Sequence, residues 1–314
     1  MKGDYRDPSG AEAQAAERDR RRAEERRRLR RQRLLAAGAI VLVGGGIVAA
    51  IASNGGGGGR QARTVASRGK GGRGEAAQSE ADGKVRNATP QPGWKPYTGP
   101  VPILEYHVLG RPQTEVAYPE LYVPRASFRK QMDWLDRQGY EAVTLEAVEE
   151  AWYHGGTLPP KPVVISFDDG YRPQYTFALP TLREHGWPGL LNLKAGGSDL
   201  YESNVEAMLA AGWELAAHTI NHSDLTTLEG EALEEEVAGS REILRREYGV
   251  PVKNFCYPAG RFDEATIAAV EAAGYVGATT EIPGLATKDH PYELARIEVL
   301  GSWTLADLAA ALRS

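Results

Sequence analysis

The sequence predicts an α/β fold: a distorted (β/α) barrel of about seven parallel strands, preceded by a transmembrane helix and a disordered linker. Three observations predict it. From residue 99 onward, short apolar runs alternate with helix-period segments. There are about seven or eight such units, a number that suits a closed or nearly closed barrel better than an open sheet. The residues able to do chemistry fall where the strands end, and such barrels carry their sites at those ends.

The elements follow in order. Residues 1–33 form a basic tail, with 12 Lys/Arg against 7 Asp/Glu. Residues 34–53 contain no charge and are long enough to cross a bilayer as a helix. Arg26-Arg27-Arg28 and Arg30-Arg31 stand just before them. Positive flanks stay in the cytoplasm, so the expectation is a single-pass cell-membrane protein with its bulk outside. A cleaved signal peptide is the rival reading, and Ala50-Ile51-Ala52 offers a cleavage pattern. Against it, the leader is long and the apolar run exceeds the usual h-region of about 7–15 residues. Residues 54–98 open with Gly55 to Gly59, hold almost no large apolar side chain, and read as a flexible linker.

Residues 99–314 carry the globular domain. Strands are expected at 101–107, 142–145, 163–168, 189–193, 213–218, 254–258 and 275–279, with a further one at 294–300. Helices are expected at 126–138, 145–153, 176–185, 205–211, 231–248, 263–273 and 304–312. The 231–248 helix is charge-rich and is expected on the outside.

Charge and cysteine narrow the partners. The whole chain has 37 Lys/Arg and 42 Asp/Glu, a net of −5. Residues 54–98 add 8 basic and 3 acidic residues to the tail's excess, which leaves 17 against 32 for the rest. An acidic domain argues against nucleic acid, since phosphate binding needs a basic face. Cys256 is the one cysteine, so no intrachain disulfide forms.

Two short motifs carry the chemistry. Ser166-Phe167-Asp168-Asp169-Gly170 ends the strand Val163-Val164-Ile165 with two carboxylates, and a chain cannot bury both without a compensating cation. His218-Thr219-Ile220-Asn221-His222 puts two imidazoles four residues apart; on a helical turn both rings would project from one face. One Asp with two His suits a divalent transition metal such as zinc, and the other Asp is then free to act as a base. Read separately, an Asp-Gly turn and two surface histidines are ordinary. Together they are a kit for metal-assisted hydrolysis. Two further places bear on it. The strand ending Tyr257-Pro258-Ala259-Gly260 breaks at Pro-x-Gly, which either turns a backbone N–H inward as an oxyanion donor or is plain loop punctuation. His107 ends the first strand, as a general acid or as a rim histidine satisfied by hydrogen bonds.

The chain resembles the polysaccharide deacetylases, carbohydrate esterase family 4. Ser166–Gly170 matches the family's T/S-F-D-D-G motif, and His218–His222 matches H-S/T-x-x-H, with Leu225 at the usual offset. Pro258 and Gly260 match R-x-P-x-G, but Cys256 stands where the family has Arg. The start Val101-Pro102-Ile103-Leu104-Glu105-Tyr106-His107 looks like the branch that opens P-x-L-x-Y-H. The resemblance implies a deacetylase-like catalytic domain at 99–314, with Asp169, His218 and His222 as ligands of a divalent metal, most simply Zn2+, with Co2+ and Ni2+ as alternatives. It implies Asp168 as general base and the Ala259 N–H as oxyanion donor. Two family residues are missing. Arg296 is the first candidate to replace the motif-three Arg, and Arg261 the second. No His stands in 294–300 to supply the usual acid, so the role passes to His107.

The function implied is a membrane-anchored, metal-dependent N-deacetylase acting on acetamide groups of cell-surface amino-sugar polymers, peptidoglycan or poly-N-acetylglucosamine. A tether of about 45 residues would let it sweep roughly 35–40 Å. Two alternatives stay open: an inactive glycan-binding member of the fold, motivated by Cys256, and a hydrolase of another acetylated or amide substrate such as xylan. Loops 111–124 and 195–204 are where the choice of glycan is expected to lie.

Overall fold

The computed structural model of the protein describes residues 83–112 and 116–313. Seven strands form a closed parallel barrel: β1 (Ile103–Tyr106), β2 (Pro162–Asp168), β3 (Leu190–Leu193), β4 (Glu214–Ala217), β5 (Asn254–Cys256), β6 (Gly277–Pro283) and β7 (Leu294–Glu298). Each pairs with the next, and β7 closes onto β1 through Ile297–Leu104 and Glu298–Glu105. The wall is uneven. β4 meets β5 through the single pair Ala217–Phe255, and the β6–β7 register slips between Thr279 and Pro283.

The strand expected at 142–145 is not a stave. Only Glu141–Ala142 is extended, pairing with Pro162 and Val163 before β3 joins β2 at Ser166. Thr144 ends it by capping the helix that follows, its side chain accepting from Ala147 N–H. The run expected at 294–300 is β7, which completes the barrel.

Residues 83–98 also depart from the expectation. Composition placed them in the linker, yet Val85, Asn87 and Trp94 are buried. Asn87 donates to the Ala142 carbonyl at 3.1 Å, and Lys95–Pro96 pairs with Thr157–Leu158. A few anchoring side chains hold an otherwise polar segment against the domain. The tail 1–33, the expected span 34–53 and residues 54–82 lie outside the described residues. Among the described residues no helix is long and apolar enough to cross a membrane.

Eight α-helices are described: α1 (Arg125–Arg137), α2 (Leu145–His154), α3 (Leu179–His185), α4 (Glu202–Ala210), α5 (Gly230–Glu234), α6 (Ser240–Tyr248), α7 (Glu264–Ala272) and α8 (Leu305–Ala311). Strand alternation sorts the core into two parts. Leu104, Tyr106, Ile165, Phe167, Leu191, Leu193, Phe255 and Tyr257 belong to one apolar cluster with helix residues such as Phe128, Leu182 and Val270. The alternate positions Ile103, Val164, Leu190, Ala216 and Leu294 belong to a second cluster with Trp94, Val143 and Leu145. They fill the barrel at its base. Two residues further along, the same faces turn polar: Glu105, Ser166, Asn192, His218 and Arg296, all buried. The interior is therefore apolar where the strands begin and charged where they end, and that gradient positions the site.

The base carries its own titratable group. Glu149 of α2 is buried; Asn254 Nδ2 donates to its Oε2 at 3.3 Å, and Oε1 has no partner. Burial, with repulsion from Glu214, pushes its pKa up to about 8. An unfolded glutamate titrates near about 4.3. Between those values the folded chain keeps a proton that the unfolded chain loses. The group's contribution is thus full below the unfolded pKa and is lost as pH rises through about 8. Glu149→Gln is expected to raise the melting temperature by several degrees at about pH 8.5 and to leave it unchanged at about pH 4. Thermal melts at the two pH values check this, and an equal shift at both would refute it.

Candidate metal centre and active site

β2 delivers the two carboxylates in different directions. Asp168 is its last residue; Asp169 (φ 72°) and Gly170 (φ 74°) then form a left-handed turn. A Cβ on Gly170 would stand 2.6 Å from Leu193 Cδ1 and 2.7 Å from Ser198 Cβ, so the turn needs glycine there.

His218 follows β4 directly. The 218–222 segment is a loop, not the helical turn expected from the spacing, because Thr219 (φ 60°) and His222 (φ 61°) are both left-handed. The loop is drawn tight by His222 N–H donating to Thr219 Oγ1 at 2.8 Å. It brings the two rings to 4.8 Å between centroids all the same. A buried glutamate holds it in place. Glu236 accepts from the Ile220 and Asn221 N–H groups at 2.9 Å each and from the Asn221 and Ser223 side chains. Glu236 belongs to the charge-rich 231–248 stretch expected on the outside. A π-turn at Glu235–Gly239 interrupts that helix, and such turns recur at functional sites. A second π-turn carries Gln174, whose Nε2 donates to the carbonyls of Asp168 at 2.6 Å and His107 at 3.0 Å.

Asp169, His218 and His222 offer ligand atoms that all lie within 4.8 Å of one another. Asp169 Oδ1 is 3.9 Å from His218 Nε2 and 3.7 Å from His222 Nε2. His218 Nδ1 lies 2.8 Å from the Cys256 carbonyl, a contact that assigns it the proton and leaves the Nε2 lone pair for a ligand bond. Burial lowers the His218 pKa to about 4 and also lowers that of His222, which favours the neutral, ligating form. These residues fit a divalent cation. Two other side-chain groups also satisfy the distances, Asp168–His218–Cys256 and Glu105–His107–Asp168. Both include Asp168, whose Oδ1 already faces the Arg296 guanidinium, and a buried guanidinium repels a second cation.

Asp168 is held from three sides. Oδ1 accepts from Asn192 Nδ2 at 2.6 Å and Arg296 Nη1 at 2.9 Å; Oδ2 accepts from the Cys256 thiol at 3.4 Å. Burial opposes its ionisation. Arg296 first, then His218 and His107, outweigh that and keep the carboxyl well below the usual range. Arg296 is itself buried between two carboxylates, with Nη2 3.1 Å from Glu105 Oε1. Burial pushes the Glu105 pKa well up. Glu105 Oε1 also lies 3.8 Å from His107 Nε2.

The remaining sequence candidates also find places. Ala259 is left-handed (φ 50°) in the Pro258–Gly260 turn, whose hydrogen bonds run from Gly260 N–H to Tyr257 O and from Arg261 N–H to Pro258 O. Arg261, the second candidate to replace the missing arginine, is turned to Asp224 at 2.6 Å instead. The structure thus gathers Asp168, Asp169, His218, His222, His107 and Arg296 at the strand ends. Sequence reasoning passed over Asn192, Glu105, Gln174, Glu236 and Lys194, whose Nζ is 3.3 Å from Asp169 Oδ1. For Asn192 and Glu105 a signal existed, a polar residue inside an apolar strand run. A cavity of 450 Å³ opens at the other end of the barrel, lined by Lys84, Glu146, Trp213, Glu214 and Lys253 among others, and includes none of these groups.

Known proteins are similar to this chain. The family model described as polysaccharide deacetylase matches residues 155–278. YxkH of Bacillus subtilis (strain 168), provisionally named a polysaccharide deacetylase, is 32% identical over 205 residues, covering 63% of this chain and 71% of its own. The chain belongs to the polysaccharide deacetylase family. Within that family, the poly-β-1,6-N-acetyl-D-glucosamine N-deacetylase of Escherichia coli (strain K12) is 40% identical over 68 residues. That match spans 22% of this family member and 10% of the relative. Among solved structures, the Streptococcus pyogenes deacetylase PplD in complex with acetate superposes with a TM-score of 0.64 at 24% identity, over 69% of this chain and 99% of that chain. At that identity the likeness speaks to the fold.

Proposed function

We propose that the protein is a metal-dependent N-deacetylase that hydrolyses acetamide groups on cell-surface amino-sugar polymers, peptidoglycan or poly-N-acetylglucosamine. The observation that carries the reading is the division of two adjacent carboxylates. Asp169 stands with two histidines, while Asp168 stands with an arginine.

Asp169, His218 and His222 would hold the ion. The chemistry it supplies is Lewis-acid polarisation of a carbonyl and a lowered pKa for a water. The chain's own groups do the rest. Asp168, fixed through Oδ1 by Arg296 and Asn192, presents Oδ2 to take a proton. The Ala259 N–H donates to the developing oxyanion. His107, at the end of the neighbouring strand β1, delivers a proton to the departing amine.

The relative named for poly-β-1,6-N-acetyl-D-glucosamine supports an amino-sugar polymer as substrate. The uncharged run at 34–53, with its arginine flank, supports a cell-membrane anchor with the barrel outside. Arg296 beside Asp168 speaks against the inactive glycan-binding reading, which rested on the missing motif-three arginine.

Acetate release from peptidoglycan, poly-N-acetylglucosamine, chitooligosaccharides and acetylated xylan tests the reading. Amino-sugar polymers should yield acetate and free amines, with activity lost on chelation and regained with Zn2+, Co2+ or Ni2+. Release from xylan alone, or undiminished activity after chelation, would overturn it.

A further inference from the structure

Gln174 is wholly buried, and its one amide nitrogen reaches main-chain carbonyls on two different strand ends. The Asp168 carbonyl is at 2.6 Å and the His107 carbonyl at 3.0 Å. These two residues are the base and the acid of the proposed reaction, and Gln174 touches neither side chain.

The place of this contact follows from the barrel wall. β1 and β2 pair in register from Ile103–Val164 to Tyr106–Phe167. The pairing stops there, one residue short of His107 and Asp168. A primary amide carries two N–H donors, and Gln174 directs one to each carbonyl. It therefore stands where the next rung of the ladder would. Reversing the amide would set its oxygen against both carbonyls, so its partners fix its orientation. The backbone is shaped to the same end. Gln174 opens a π-turn, Gln174–Ala178, closed by Leu179 N–H donating to Gln174 O. Gln174 Oε1 is buried with no partner. A side chain kept only to fill space would carry no such cost.

The two tied residues differ in what else holds them. The Asp168 carboxylate has Arg296, Asn192 and the Cys256 thiol as partners. The carboxylate beside the His107 ring, Glu105 Oε1, is 3.8 Å from Nε2, beyond hydrogen-bond reach. The ring's position thus depends on its main chain, which Gln174 ties to that of Asp168. Proton delivery is intolerant of misplacement: a shift of about 1 Å can cost about a hundredfold in rate. We propose that Gln174 is a positioning residue, a clamp on the His107 and Asp168 carbonyls that sets the spacing between acid and base. This rests on the deacetylase reading, which gives those two residues their roles.

The test uses the full, metal-loaded chain. Gln174→Met keeps the volume and removes both donors; Gln174→Asn keeps the donors on a side chain one methylene shorter. Leu308→Ala, in the core face of α8 where it packs on α1, is the control for lost stability. Two substrates separate the acid from the base. An N-acetylglucosamine oligomer has an amine leaving group that needs a proton, whereas the nitrophenolate of nitrophenyl acetate departs without one. Turnover is expressed per bound Zn2+. Gln174→Met should lower kcat on the oligomer about tenfold to a hundredfold, with KM and ester turnover within about threefold. Gln174→Asn should fall between, and Leu308→Ala should match the unaltered protein on both substrates. Hydrogen exchange across residues 105–109 should quicken in Gln174→Met and stay unchanged across 190–193. Equal loss on oligomer and ester, or unchanged exchange, would overturn the clamp. Acetate release with kcat unchanged in Gln174→Met would overturn the positioning role and leave the deacetylase reading standing. No acetate release from the unaltered protein, with exchange still quickened in Gln174→Met, would overturn the deacetylase reading and leave the clamp standing.

Discussion

Arg296→Met is expected to lower kcat at least about a hundredfold while the protein still binds its metal ion. Arg296 touches no ligand of the proposed ion; it holds Asp168 Oδ1 and keeps that carboxyl ionised in a buried setting. Without the cation the largest influence opposing burial is gone, the Asp168 pKa rises, and the carboxylate loses the partner that orients it as a base. The same variant should cost stability. Removing one partner of a buried charge cluster leaves the others uncompensated, at about 3–5 kcal/mol. Glu105, 3.1 Å from the guanidinium on its other side, separates the two effects. Adding Glu105→Gln should recover part of the stability, since one fewer carboxyl is stranded, and recover no turnover. Denaturant melts, steady-state kinetics and metal content on the same preparations check this. An Arg296→Met protein turning over within threefold of the unaltered one would show that Asp168 needs no orienting cation.

The second large effect comes from a pair of isosteric changes at neighbouring positions. Asp169→Asn is expected to lower metal affinity at least about a hundredfold, and activity with it. Asp168→Asn is expected to retain the ion and lose about 10²–10⁴ in kcat. The comparison is clean because asparagine tolerates the left-handed backbone that Asp169 adopts, so the turn survives. Calorimetric titration with Zn2+ of metal-stripped protein reads the first loss, and single-substrate kinetics the second. If both variants lost metal equally, the two carboxylates would be a shared ligand pair and the division of labour would fall.

Much of the barrel was legible because parallel strands covered by helices write themselves as apolar runs between amphipathic segments. Local pairing was harder. Ala142 sits in such a run, yet its segment pairs for two residues and turns into a helix at the Thr144 cap. Nor did composition show residues 83–98 packing, because three side chains do the anchoring. At the site, residue types and spacing pointed to Asp168, Asp169, His218 and His222, since few other jobs call for that combination. They gave no sign that the loop between the histidines would be left-handed, or that Glu236 would hold it from a distant helix. Long-range partners such as Asn192 and Glu105 depend on which strands become neighbours. The chain states that only once the barrel has closed.

Cys256 occupies the position where the family motif carries arginine, and its surroundings give the chain a further property. Its sulfur is wholly enclosed, donates to Asp168, and is pushed by burial well above the pKa of a free thiol. A protonated, inaccessible sulfur neither exchanges with disulfides nor oxidises readily. The one thiol is therefore shielded from oxidants and electrophiles until the barrel wall around it opens. Its reaction rate is a clock for that opening, built into the base's own hydrogen-bond shell.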